Sequence, residues 1–243
     1  MDLTAAGPVS STVRSLCDGF NGFGLDLHRR LPSGGNTFIS PLSIGAALAA
    51  LLPGARGQTA AELVEVLGLP GTAEDTTRAM AELFTVLEPR RIKEEAWNEE
   101  TGTSEMIERE KFRLSLATCL LVEEAYPLHT AFCDALTEAF GAEFQSVTFA
   151  NPEATAARVN AWVADKTEGR ITDLVSPASV LPDLRLILAN EVYFKACWAD
   201  QFTESMTRSK PFHLLPGEGT GTVEVPMMTT QGTFLHWKSE AMD

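Results

Sequence analysis

One segment constrains the fold of this 243-residue chain more than any other. Residues 184–194 alternate with a period of two, which is the spacing of a β-strand. One face of this strand carries Leu184, Leu186, Leu188, Asn190, Val192 and Phe194. The other face carries Arg185, Ile187, Ala189, Glu191 and Tyr193. Because much of both faces is apolar, we predict a central strand in a large sheet that is covered on each side.

Asn190 is the polar exception on the more apolar face of this strand. A buried polar group left without a hydrogen-bond partner costs about 1–3 kcal/mol. We therefore expect Asn190 to find partners inside the protein.

The rest of the chain predicts helices first and strands interleaved or later. Apolar residues recur at helical spacing in segments 13–31, 41–52, 59–67, 80–87, 128–140 and 152–169. A period of two, or a short apolar run between turns, predicts strands at 36–40, 112–122, 144–149, 212–215, 222–228 and 233–237. Two of the helices have clear starts, at Ser40-Pro41 and Asn151-Pro152, each with an N-cap residue followed by proline.

Neither a sequence repeat nor a Ser/Gly-rich linker divides the chain. We predict one α+β domain over residues 1–243, with N-terminal helices packed on the central sheet. Residues 88–111 contain eight acidic and five basic residues and are interpreted as a charged, solvated connection.

The charge balance limits the classes of partner. The formal net charge is −14, and an acidic surface repels phosphate, so we expect neither nucleic acid nor membrane as a partner. The most apolar run, 44–52, is too short to cross a bilayer. Because the sequence shows neither a signal peptide nor an Asn-x-Ser/Thr acceptor, an intracellular location is favoured, with the extracellular space as the alternative.

The chain contains no common catalytic motif: it has no G-x-S-x-G, no P-loop and no H-E-x-x-H. The four histidines are scattered, without a second ligand at metal-binding spacing, so we predict no metal site, no cofactor and no catalytic residue. The cysteines, which lie within apolar patterns, are expected to be reduced and buried: Cys17, Cys119, Cys133 and Cys197.

Several phrases, in this order along the chain, resemble the serpin family of protease inhibitors. They are Asn36-Thr37-Phe38-Ile39-Ser40-Pro41-Leu42-Ser43-Ile44, Gly54-Ala55-Arg56-Gly57-Gln58-Thr59, Val159-Asn160-Ala161-Trp162-Val163, Leu188-Ala189-Asn190-Glu191-Val192-Tyr193-Phe194-Lys195-Ala196-Cys197-Trp198 and Val225-Pro226-Met227-Met228. The similarity extends from about residue 12 to residue 237. It implies a serpin-like fold with several sheets, in which 159–163 belong to the helix that lies across the main sheet.

Two local residues and the length depart from the family pattern. Glu191 stands where serpins usually have Ala, and Ala196 where they usually have Gly. Serpins continue well past the position of Asp243. The resemblance therefore implies that this chain is the N-terminal two-thirds of a serpin, without the reactive-centre loop or the reactive bond.

The resemblance also implies a site. In serpins the main sheet parts to accept the cleaved loop, and Asn36, Ser40, Ser43 and Asn190 correspond to the polar "shutter" at the parting point. Trp198 corresponds to the "breach", where insertion begins. The alternative readings are purely structural: Ser40 as an N-cap, Asn190 as a satisfied core amide and Trp198 as an aromatic at a strand end.

Three functional hypotheses follow. The first is a suicide-type inhibitor of serine or cysteine endopeptidases, which negatively regulates proteolysis through a metastable fold. The second is a non-inhibitory serpin relative or truncated product that acts as a carrier or chaperone. The third is an enzyme of unknown reaction, to which no motif points. For the chain as it stands, we also expect self-association through an unpaired edge of the central strand.

Overall fold

The regular structure of the computed structural model is helical in its N-terminal part and mainly β in its C-terminal part. The structure describes residues 9–32, 35–87, 90–98, 102–198, 200–214 and 221–232. The α-helices are α1 Ser11–Arg30, α2 Pro41–Ala49, α3 Gly57–Leu67, α4 Ala73–Leu87, α5 Thr130–Phe140 and α6 Pro152–Lys166. The strands are β1 Arg90–Asn98, β2 Thr103–Glu123, β3 Glu143–Val147, β4 Leu186–Ala196, β5 Arg208–His213 and β6 Thr222–Met227.

The main sheet is organised around β2. Its C-terminal part pairs with β3 in parallel, from Cys119 opposite Glu143 to Glu123 opposite Val147. On a separate path β2 also pairs with β4. Two contacts show the relative direction of β2 and β4. Glu123 of β2 donates its N–H to the carbonyl of Arg185, just before β4, whereas Thr118, earlier on β2, lies beside Asn190, later in the chain. The strands therefore run in opposite directions.

Each face of this sheet packs against its own apolar cluster. On one face Leu120 is buried with helices α1 to α5, and Leu186 and Leu188 pack against the same cluster. On the other face Leu121 and Ala189 are buried with α6. The alternation of β4 therefore separates two cores, and the prediction of a strand covered on both sides is confirmed for residues 186–193, whereas 194–196 are exposed.

The charged segment 88–111 differs from its interpretation as a solvated connection. Residues 90–98 and 103–112 form an antiparallel hairpin, in which β1 pairs with the first half of β2. Its register runs from Arg91 opposite Glu110 to Asn98 opposite Thr103. Charge density alone does not show whether another backbone lies alongside such a segment and pairs with it.

Two further local expectations were wrong. Residues 36–40 form no strand within the part of the chain that the structure describes, and the side chain of Phe38 is 98% exposed. An extended segment becomes a strand only when another backbone pairs with it, and the period of two does not reveal that partner. Helix α3 begins at Gly57, not at Thr59, and Arg56 is its N-cap.

The described residues beyond Lys195 belong to a separate compact unit. In it, β5 pairs antiparallel with β6, from Arg208 opposite Met227 to His213 opposite Thr222. This hairpin agrees with two of the predicted strands, although the first begins earlier than expected. The strand predicted at 233–237 lies outside the described residues.

The four cysteines are free thiols. Cys119 is fully buried, and burial, followed by the charge of Glu143, raises the pKa of its thiol to about 11. Cys17 and Cys133 are half-buried. Cys197 is exposed, so the expectation of four buried thiols was wrong for this residue. It lies just beyond the end of β4, among residues 194–198, which are all exposed.

The edge of β4 generates a prediction about the 243-residue chain. Within the described residues β4 pairs with β2 alone, which leaves its other edge without a strand. We expect the chain to self-associate in gel filtration, because an unpaired apolar edge pairs with other copies. Phe194, 68% exposed on this strand, offers the test: Phe194→Lys should shift the profile toward monomer.

The matched control for this experiment is Leu25→Lys, which places the same charge on an exposed apolar residue of α1. It should leave the association unchanged. A sharp monomer peak for the unaltered chain, with one cooperative urea transition, would contradict the prediction.

Candidate functional site

Helix α2 brings the first polar groups of the candidate site to the sheet. The Ser40 hydroxyl accepts a hydrogen bond from the backbone N–H of Ser43 at 3.2 Å, and Pro41 follows as the first helical residue. Both features agree with the predicted N-cap. The cap fixes the first turn of the helix and thereby the position of Ser43.

Close packing on α1 fixes the position of α2 further. A Cβ atom added at Gly45 would lie 2.6 Å from the ring of Phe20, and one added at Gly24 would lie 2.4 Å from the ring of Pro41. Two glycines, one on each helix, therefore allow this approach. A larger residue at either position would displace α2 from the sheet.

A chain of side-chain hydrogen bonds, here named the polar relay, joins α2 to two strands of the sheet. The Ser43 hydroxyl donates to Oδ1 of Asn190 at 2.5 Å, and Nδ2 of Asn190 donates to Oγ1 of Thr118 at 2.8 Å. Asn190 is half-buried, and each end of its amide has a partner. The relay connects a helix, β4 and β2 through three residues.

The relay contains no ionisable group, so the hydrogen bonds themselves do not depend on pH near neutrality. It holds the strands by a few directional bonds instead of interlocked apolar side chains. Such bonds can be exchanged for bonds to a new partner without creating a cavity. Its chemistry is that of a reversible contact between strands, and it contains no activated nucleophile.

The structure brings together three of the four residues predicted for the shutter, but not Asn36. Ser40, Ser43 and Asn190 lie together, whereas Asn36 is exposed and has no hydrogen-bond partner among the described residues. Asn36 belongs to the segment that lacks a paired strand, which explains why it is not held against the relay.

Thr118 is the member of the relay that the sequence reasoning missed. It is buried and lies on the same face of β2 as the leucines at positions 116 and 120. A hydroxyl in an otherwise apolar face was the available signal. Its partner is 72 residues away, and the sequence does not show which strand lies beside β2.

Trp198, the residue predicted for the breach, belongs to the second unit of the chain. Its side chain is 70% exposed, and its ring meets that of Phe202 edge to face at 6.1 Å. Its role in insertion stays a prediction.

Two kinds of site are absent from the described part of the chain. No group of three or more His, Cys, Asp or Glu residues there is placed to hold a metal ion. No helix in the same residues is long and apolar enough to cross a membrane.

Comparisons with known proteins give a consistent result. The family model described as Serpin (serine protease inhibitor) matches residues 18–243. An uncharacterized serpin-like protein of Thermococcus kodakarensis is 34% identical over 229 residues, which cover 93% of this chain and 48% of that protein. Serpin B6 of Bos taurus is 34% identical over 198 residues, covering 79% of this chain and 48% of that protein. Serine protease inhibitor 42Dd of Drosophila melanogaster is 33% identical, with 82% and 48% covered.

Solved structures agree in fold. The structure of cleaved Serpin 42Da matches with a TM-score of 0.72 and 27% identity, covering 90% of this chain and 52% of that one. Human thyroxine-binding globulin with a cleaved reactive loop matches with a TM-score of 0.75 and 26% identity, covering 90% and 60%. The α+β fold class, with helices packed on sheets, is confirmed. The chain spans about half the length of the curated relatives it matches.

The polar relay generates a stability prediction. Thr118→Val keeps the shape of the side chain but removes the acceptor, leaving Nδ2 of Asn190 without a partner. We expect the free energy of unfolding to fall by about 1–3 kcal/mol in urea unfolding of a cooperatively folding form of the protein. The matched control, Thr85→Val on the exposed side of α4, should change it by less than about 0.5 kcal/mol.

A double-mutant cycle separates the relay from simple packing. In an Asn190→Leu background the donor is gone, so Thr118→Val should cost at least about 0.5 kcal/mol less than it does alone. Additive effects of the two changes would contradict the relay.

Proposed function

The chain belongs to the serpin family, and from this premise we propose that it is part of an inhibitor of serine or cysteine endopeptidases. In the proposed mechanism the target enzyme cleaves an exposed loop, and the cleaved loop inserts into the sheet that contains β4. The acylated enzyme is carried along and trapped. Because the chain spans about half of its curated relatives, this activity is assigned to a longer chain that includes the loop.

The observation that carries this proposal is the combination of a covered strand and an unpaired edge. β4 has an apolar cluster on each face, yet within the described residues only β2 pairs with its backbone. A new strand beside β4 would satisfy backbone groups that have no strand partner among the residues that the structure describes. The inserted loop is the occupant we propose.

The polar relay fits the requirement that the sheet parts. Ser43 and Asn190 hold β4 to α2 through a single hydrogen bond, and Ser40 holds the helix turn that presents Ser43. We assign the shutter role to these residues together with Thr118, and the breach role to Trp198. Movement of β4 against α2 breaks one directional bond and leaves no void.

One of the matched structures, that of a hormone-binding serpin, supports the alternative of a non-inhibitory carrier or chaperone. Thyroxine-binding globulin, 26% identical to this chain, has been solved in complex with its hormone. The discriminating feature is the hinge of the loop, where small residues permit insertion and bulky residues or proline prevent it. The sequence of this hinge in a longer form of the protein would distinguish the two functions most directly.

The relatives' names support an inhibitor over an enzyme, because they include "serpin" and "serine protease inhibitor". The partner we propose is therefore a target protease. Its identity, and an intracellular place of action, stay predictions from the sequence.

The 243-residue chain is expected to form no SDS-stable complex with trypsin, elastase or a caspase, because without a bait peptide there is no acyl-enzyme to trap. Gel electrophoresis after incubation with each protease is the measurement. A longer natural form with the loop is the positive control. A stable complex of the short chain would contradict this mechanism.

The polar relay can be tested in a longer, inhibitory form of the protein. Asn190→Leu should raise the stoichiometry of inhibition, because an interlocked apolar side chain slows the parting of the sheet. Ser43→Leu should lower the melting temperature by overpacking α2. Titration against a target protease and thermal unfolding are the measurements. Unchanged values for both variants would refute the assigned shutter.

A further inference from the structure

Glu191 is a buried acid that the proposed mechanism does not use. It follows Asn190 on β4 but points to the opposite face, the one that packs with α6. Its side chain is 5% exposed, and neither carboxylate oxygen has a hydrogen-bond partner among the described residues. An ionised carboxylate in such a place is costly, because neither water nor a donor stabilises its charge.

Two cationic side chains near Glu191 form ion pairs with other acidic residues. Nζ of Lys166, at the end of α6, lies 2.6 Å from Glu143 on β3. The guanidinium of Arg113 on β2 lies 2.6 Å from Glu168 and stacks over the ring of Tyr193. Both cations act on Glu191 through space, but neither forms a hydrogen bond with it.

Several elements contribute ionisable groups around this face, and Arg170, after α6, also acts on Tyr193. The other groups are Arg113 and Cys119 on β2, Glu143 on β3, Asp165 and Lys166 on α6, Glu168 after α6, and Tyr193 on β4.

Burial is the largest influence on the pKa of Glu191. It raises the pKa of this carboxyl group from 4.5 to about 7, although the charges of Lys166 and Arg113 lower it. In the packed state the group is therefore largely neutral at slightly acidic pH. Any state that admits water returns the pKa toward its ordinary value.

We propose that Glu191 is a proton-controlled latch between α6 and the main sheet: the neutral acid keeps the helix packed, and the ionised acid releases its C-terminal end. The neutral group is compatible with the apolar cluster on this face. The ionised group requires water or a cation beside it. Bringing either one to this face disturbs the packing of α6.

The release of the C-terminal end of α6 depends on the two contacts that Glu143 makes with this helix. This residue holds the end of α6 twice, through the ammonium of Lys166 and through the indole N–H of Trp162, which donates to it at 3.0 Å. An ionised Glu191 competes for Lys166 and so weakens the first connection. The N-terminal end of α6 is held separately, by the Asn151 cap and by Arg158, which donates to the carbonyl of Ser146. Only the C-terminal end should therefore loosen.

The sign of the pH dependence follows from the raised pKa. The stabilisation is complete below about pH 4.5 and is lost as the pH rises through about 7. The ratio of open to packed α6 should increase about tenfold per pH unit between these limits and then level off. The latch does not depend on protease inhibition, because its readout is the packing of a helix.

Amide hydrogen exchange between pH 5 and 8, corrected for intrinsic exchange rates, tests the latch. It is measured on the longest natural form of the protein that unfolds cooperatively. Protection of residues 160–166 should fall about tenfold per pH unit up to about pH 7, whereas residues 153–157 should change little. Glu191→Gln, which is permanently neutral, should abolish the dependence. Glu153→Gln, which removes an exposed charge from the first turn of α6, should retain it.

Two outcomes would overturn the latch: protection of residues 160–166 that is independent of pH in the unaltered protein, or an equal dependence in Glu191→Gln. If Glu191→Gln does not fold, carboxyl carbon NMR of the unaltered protein decides the matter. A titration midpoint of Glu191 between about 6 and 8 supports the latch, and a midpoint below about 5.5 overturns it.

Discussion

The main sheet is covered on both faces, and a polar group inside it is therefore costly unless it is hydrogen-bonded or uncharged. β4 meets this constraint in two different ways on its two faces. On the face toward α2, Asn190 is satisfied by Ser43 and Thr118. On the face toward α6, Glu191 has no hydrogen-bond partner among the described residues and is stabilised in its neutral form. Neighbouring residues of one strand thus create an exchangeable contact and a titratable one.

Patterns that depend on neighbours along the chain could be predicted from the sequence. The burial of β4, the cap of α2 and the start of α6 at Asn151-Pro152 all follow from local spacing and capping chemistry. The resemblance to serpins placed Ser43 and Asn190 together, and the structure brings them into contact. Local patterns alone could not have done so, because 147 residues separate them.

Features that depend on distant partners could not be predicted. Residues 36–40 have the strand pattern but no paired strand among the described residues, so Asn36 stays exposed. The charged segment 88–111 has the composition of a solvated connection, yet residues 90–98 pair with 103–112. Thr118 belongs to the site because β2 lies beside β4, and this pairing is not evident from the sequence. In each case the missing information was which backbone lies alongside.

We infer that a strand inserts at the edge of β4 that has no paired strand among the described residues. The most direct test is amide hydrogen exchange of residues 186–196 in a longer form with the loop, before and after cleavage by a target protease. Amides on the unpaired edge should exchange quickly before cleavage and gain about a hundredfold protection afterwards, because a new strand pairs with them. Unchanged protection of these amides after cleavage would contradict the account.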